Sequence, residues 1–217
     1  MNYLLELQEF VIIFQIITAI IGSIFFFKYK NATLKYFLIV LWYIAINDFT
    51  GFILKSQFNI DSVTILYNIY YLIVFNYYMS LFRHYVSKVN HKKCILVLSI
   101  LYTFSFFINA FNENYFIEVS TAPYIIGASF VIISIVFYYI DILNSEKVLY
   151  VNKNLLFWIS IGVLIYFGGN IPFRIVRNYN GGLVDASIQF LVLCILSIVM
   201  NLCFIFGFIW SSKRQQY

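Results

Sequence analysis

Seven apolar stretches, each about 20 residues long, constrain this chain more than any motif does. They cover residues 9–27, 34–54, 63–86, 94–111, 122–143, 155–176 and 188–210. Coiled as helices, stretches of that length match a hydrocarbon layer about 30 Å thick. Inside that layer the backbone must satisfy its own hydrogen bonds, which a helix does within a single segment. Composition removes the water-soluble alternative. Hydrophobic residues make up 63% of the chain and charged residues 11%, whereas soluble domains carry about 25% charged residues. The expected fold is an all-α membrane protein, a seven-transmembrane helix bundle forming one domain over residues 1–217. The first stretch lacks a basic start and a small-residue cleavage site, and it ends in Lys28 and Lys30. It therefore reads as a span and not as a removable signal peptide.

The basic residues orient the spans. Of 14 lysines and arginines, eleven fall in alternate gaps: Lys28, Lys30 and Lys35, then Arg83, Lys88, Lys92 and Lys93, then Lys147 and Lys153, then Lys213 and Arg214. Lys55, Arg174 and Arg177 fall on the other side, with Glu6, Glu9, Asp61, Glu113, Glu118 and Asp185. The positive-inside bias then places the N-terminus outside and the C-terminus in the cytoplasm. This bias accounts for the net charge of +5 without a nucleic-acid partner.

The sixth stretch breaks its own pattern. Leu155–Val176 reads LLFWISIGVLIYFGGNIPFRIV, with Gly168, Gly169, Asn170, Pro172 and Arg174 close together. Pro172 has no backbone N–H, so the Gly168 carbonyl loses its usual helix partner. In hydrocarbon such a carbonyl survives facing protein or a water-filled cavity. A helix break at Gly168, Gly169 and Pro172 is therefore expected. Beside it stands a plainer reading, a kink that lets helices pack closely.

Ionisable and amide side chains inside a span are costly and mark candidate sites. Asp48 lies well inside the second span, next to Asn47 and just before Gly51. The functional reading is an outward-facing ligand pocket built from Asn47, Asp48, Asn109, Asn170 and Arg174. The structural reading holds Asp48 by interhelical hydrogen bonds while Arg174 snorkels outward. Asn76 and Asn201, near the membrane middle, read as packing glue. At the cytoplasmic edge Arg83 and His84 end the third span and Asp141 ends the fifth. An Arg83–Asp141 latch is one reading of these groups, and an ordinary interfacial ion pair is the other.

Enzyme templates find no match. The chain has no GxSxG and no HExxH. His84 and His91 are too few for a histidine-built metal site, and Cys94, Cys194 and Cys203 have no metal-ligand or disulfide-framework spacing. The seventh span has no lysine for a retinal Schiff base. The expectation is a non-enzyme with no catalytic residue, metal or cofactor.

The topology and the segment NKNLLFWISIGVLIYFGGNIPF resemble the seven-helix membrane modules of bacterial sensor proteins. In that class a seven-span segment is attached to a histidine kinase or cyclase output domain. The resemblance implies a receptor and carries over no defined functional residue. This sequence has neither an extracytoplasmic ligand domain nor an output domain, so signalling would require a separate partner. The leading expectation is a bacterial inner-membrane receptor that binds a small or lipophilic ligand. It would signal through a cytoplasmic partner, with the bilayer around it and its oligomeric state open. One rival is a transporter or channel with a polar path from Asp48 and Asn170 past Asn76 and Asn201 to Arg83 and Asp141. Another is a membrane effector or accessory subunit of a bacterial defence system.

Overall fold

The structure, a computed structural model, describes residues 2–58, 63–117, 119–179 and 186–212. Asp61, Glu118, Asp185, Lys213 and Arg214, which entered the charge argument, lie outside the described residues. All seven expected spans are helices: α1 (Asn2–Ile24), α2 (Lys35–Ser56), α3 (Thr64–Tyr85), α4 (Val89–Asn109), α5 (Thr121–Leu143), α6 (Leu155–Tyr179) and α7 (Ala186–Trp210). Each contains a segment long and apolar enough to cross a membrane. No strand occurs among the described residues. The chain is a multi-pass integral membrane protein by this measure. Its contacts group into two compact units, Met1–Ile46 with Lys147–Tyr217, and Asn47–Glu146.

The first unit holds α1, α6 and α7, with the first part of α2. Its seam is built on glycine. At Gly162 an added Cβ would lie 3.0 Å from the Met200 carbonyl oxygen and 3.1 Å from the Cys203 Cβ. At Gly207 it would lie 2.7 Å from the Trp158 Cβ, and at Gly169 2.8 Å from both Leu196 methyls. Small residues let helix backbones approach where lipid offers no hydrophobic drive for association. Lys28 closes one end of this unit. Its Nζ donates to the carbonyls of Phe208, at 2.9 Å, and Ile209, at 2.7 Å. A cation there meets the negative end of the α7 dipole.

The residues of the expected helix break, Gly168, Gly169 and Pro172, all lie inside α6. α6 stays helical from Leu155 to Tyr179 with Pro172 inside it. Proline deletes a single N–H, and the turns on either side keep their own ladder. Gly168 and Pro172 lie on an exposed face, and a Cβ at Gly168 would meet nothing within 4 Å. Gly169, one residue on, is the packing glycine.

The second unit holds α3, α4 and α5, which contact one another pairwise. Its middle is filled with rings. Phe75 meets Tyr102 edge-on at 5.4 Å and Tyr124 at 5.3 Å, and Phe82 meets Tyr138 at 5.8 Å. Gly127 makes room for this cluster, since a Cβ there would lie 2.6 Å from Phe75 and 2.7 Å from Tyr102. α4 is the outlier. Only 17% of its most apolar window is buried, against 33% to 44% in the other six spans. Its buried residues are Ile95, Tyr102 and Phe106.

Candidate functional site

A helix with so little buried surface needs other anchors, and α4 has polar ones at three heights. At mid-height the Asn76 amide of α3 bridges to α4. Ser99 Oγ donates to Asn76 Oδ1 at 2.6 Å, and Asn76 Nδ2 donates to Thr103 Oγ1 at 3.2 Å and to the Leu72 carbonyl at 2.9 Å. This is the packing role expected of Asn76. Asn201 instead donates to the Ser197 carbonyl of its own helix at 2.8 Å.

Where α4 ends, Asn109 donates to Glu113 Oε2 at 2.7 Å and to Tyr115 Oη at 3.3 Å. Burial pushes the Tyr115 phenol up, so it keeps its proton and donates to the Phe106 carbonyl at 2.7 Å. Asn68, fully buried on α3, holds the rest of the α4–α5 connection. Its Nδ2 donates to the Tyr115 carbonyl at 3.1 Å, and its Oδ1 accepts from Ser120 N and Oγ, each at 3.0 Å.

Where α4 begins, Asp141 of α5 is the anchor. The residue is 7% exposed. Its Oδ2 accepts the backbone N–H groups of Ser87 at 2.5 Å and Lys88 at 3.0 Å. Its Oδ1 lies 2.9 Å from His91 Nδ1. Helix starts carry unpaired N–H groups and partial positive charge, and a carboxylate answers both. The His91 ring also lies flat on Phe137, 4.5 Å between centroids and 15° between planes. One edge and one face of the imidazole are therefore fixed.

These distances revise the expected latch. Asp141 is engaged at the predicted edge, but its partners are His91 and the start of α4. Arg83 is exposed and makes no ion pair with it among the described residues. Arg83 lies on the outward face of α3, while Asp141 is turned in under the α3–α4 turn.

The expected pocket residues fall in both units. In the second, Asn47 is buried and its Nδ2 has no hydrogen-bond partner among the described residues, while Asp48 beside it is half-buried. Tyr67 lies within electrostatic reach of Asp48, its hydroxyl oxygen 2.8 Å from where a Gly51 Cβ would be. Asn109 is occupied with the α4–α5 connection. In the first unit Asn170 is buried and Arg174, one turn later, is half-buried. Sequence reasoning missed His91, Asn68, Ser99 and Thr103. The signal for Asn68 was an amide among the aromatic residues of YNIYYL. For His91 it was an imidazole in a lysine-rich first turn.

Among the described residues no three His, Cys, Asp or Glu side chains group as metal ligands. The three cysteines are free. The chain matches no family model, no curated protein and no solved structure. The class that fold and composition define is the integral membrane protein of seven helices.

Proposed function

We propose that the protein is a receptor-type membrane protein in which α4 is the moving element. A small or lipophilic ligand on the outer side, near Asn47 and Asp48, shifts α3 and α4. The shift reaches a cytoplasmic partner through the basic α3–α4 turn. The observation that carries this reading is the way α4 is held, with little buried apolar surface and polar anchors at both ends and in the middle. Hydrogen bonds between helices in a membrane contribute only about 0.6 to 2 kcal/mol each. They can exchange partners without opening a packed core. The ring-filled middle of α3, α4 and α5 favours this reading over transport through that unit, because Phe75, Tyr102 and Tyr124 pack against one another between those three helices.

Cys94 reports on the motion, since it is exposed and lies at the start of α4. In proteoliposomes, lipophilic compounds are screened for a change in the rate at which a soluble maleimide labels Cys94. The receptor reading expects such a compound, together with no solute or ion flux. Flux abolished by Asp48→Asn would replace it with the transporter reading. Loss of membrane potential on expression would replace it with the defence-effector reading.

A further inference from the structure

The Asp141–His91 pair does more than anchor α4, because it leaves the second ring nitrogen of a partly exposed imidazole uncommitted. His91 Nδ1 is committed to Asp141 Oδ1 at 2.9 Å. Asp141 accepts there, so Nδ1 carries the proton, and in the neutral ring the lone pair is on Nε2. Nε2 has no partner among the described residues, and the side chain is 19% exposed. The carboxylate cannot swing away easily, since its other oxygen holds two backbone amides. Phe137 fixes the tilt of the ring. The result is an oriented nucleophilic nitrogen at the membrane edge, with a buried carboxylate behind it, as in activated catalytic histidines.

The surroundings select what that nitrogen can meet. Lys88 lies one turn before His91, and Lys92 and Lys93 follow it, with Arg83 at the end of α3. The stretch from Arg83 to Lys93 contains no acid. The carboxylate that meets the joint, Asp141, is buried beneath it. A field of that sign repels metal cations and draws anions. Among electrophiles that react with imidazole, it favours a phosphoryl group.

We propose that His91 Nε2 is a phosphoryl-acceptor site. The Nε2 lone pair attacks the γ-phosphorus of a nucleoside triphosphate held by a partner kinase. A nitrogen–phosphorus bond forms, and the bond from phosphorus to the β,γ-bridging oxygen breaks. Its electron pair leaves on the nucleoside diphosphate. No proton need depart, because Nδ1 keeps its own and Asp141 balances the positive ring. The lysines offset the charge of the new phosphoryl group. Phosphorylation then changes the charge at the root of α4, the place from which the proposed signal leaves. The identity of the donor rests on the cytoplasmic-partner reading; the reactivity of Nε2 does not.

The test separates these two dependencies. The full-length protein in lipid nanodiscs is treated with phosphoramidate, a small donor that needs no kinase. Acid-labile phosphate is then located by mass spectrometry and 31P NMR. His84, exposed and seven residues away in the same basic stretch, is the internal control. His91 is expected to label about tenfold faster than His84. Asp141→Asn should remove most of that advantage, and His91→Gln should leave only the slow labelling of His84. Equal labelling of the two histidines, or labelling of His84 alone, overturns the proposal. The wild-type comparison decides this even if Asp141→Asn fails to fold. Labelling by phosphoramidate but not by a nucleoside triphosphate with the host cytosol would retain the acceptor and count against the partner kinase.

Discussion

α4 and α7 face the same problem with opposite means. Both are apolar helices of 21 and 25 residues. α7 meets α6 along a seam where Gly162, Gly169 and Gly207 admit large side chains to near contact. α4 meets its neighbours through Ile95, Tyr102 and Phe106, and otherwise through hydrogen bonds at His91, Ser99 and Thr103, while Asn109 bonds the connection that follows. Close packing is lost all at once when one atom is added. A hydrogen-bonded anchor can be lost singly, leaving the others in place. The first unit is thus suited to rigidity, and α4 to movement.

Overpacking the glycine seam should give the largest effect. Gly162→Leu places its first carbon 3.0 Å from a backbone oxygen that cannot turn aside. The expected loss is about 3 kcal/mol, at the upper end for an overfilled core. Unfolding midpoints in detergent micelles would measure it. A Cys94→Leu change on the exposed part of α4 should leave the midpoint within about 0.5 kcal/mol of wild type. Equal losses would show that the two helices are held alike.

Next comes the root of α4. Asp141→Ala strands two backbone donors and the imidazole, at a cost of about 2 kcal/mol. The signature is local. Hydrogen exchange at Ser87 and Lys88 should accelerate, while amides along the α6–α7 seam keep their protection. Acceleration in both places would mean that the joint supports the whole fold and not α4 alone.

The mid-height bridge is smaller. Asn76→Ala should cost about 1 kcal/mol, the scale of an interhelical hydrogen bond in a membrane. Ser99→Ala removes the same bridge from the α4 side. The double variant should cost clearly less than the sum of the two, because each change already breaks the bond they share. Additive losses would place Asn76 and Ser99 in separate interactions.

The apolar periodicity made the helices legible, because length and hydropathy are local properties. α4 shows where that stops. Hydropathy places its start at residue 94, but the helix begins at Val89. Asn90, His91, Lys92 and Lys93 are polar, and their helical state goes with a carboxylate some fifty residues further along the chain. The same distance hid the partner of Asp141. Sequence offers Arg83 because its charge is permanent and its end of the membrane is right. Which face of α3 it occupies depends on packing. Asn76 could be read correctly because a mid-membrane amide has few options, whereas Asn109 was assigned to a pocket and instead secures a connection. Pro172 was read for the bond it removes, and α6 continues past it.

The finest test of the comparison lies within α6, between two adjacent glycines. Gly169 faces Leu196, whose methyls would lie 2.8 Å from a new Cβ, while Gly168 faces open space. Helix propensity favours alanine over glycine by about 1 kcal/mol at either position. At Gly168 nothing opposes that gain, so Gly168→Ala should stabilise by up to about 1 kcal/mol. At Gly169 the Leu196 side chain must move. It is flexible at that end, so the propensity gain should be cancelled or slightly reversed, by about 0.5 kcal/mol. The two variants should therefore differ in sign when unfolding midpoints are compared in the same micelles. If Gly168→Ala were instead the more damaging, the exposed face of α6 that carries Gly168 and Pro172 would have to be covered in the membrane. A second protein surface there would make close approach matter on both sides of the helix, and the contrast between a packed seam and a free face would fail for α6.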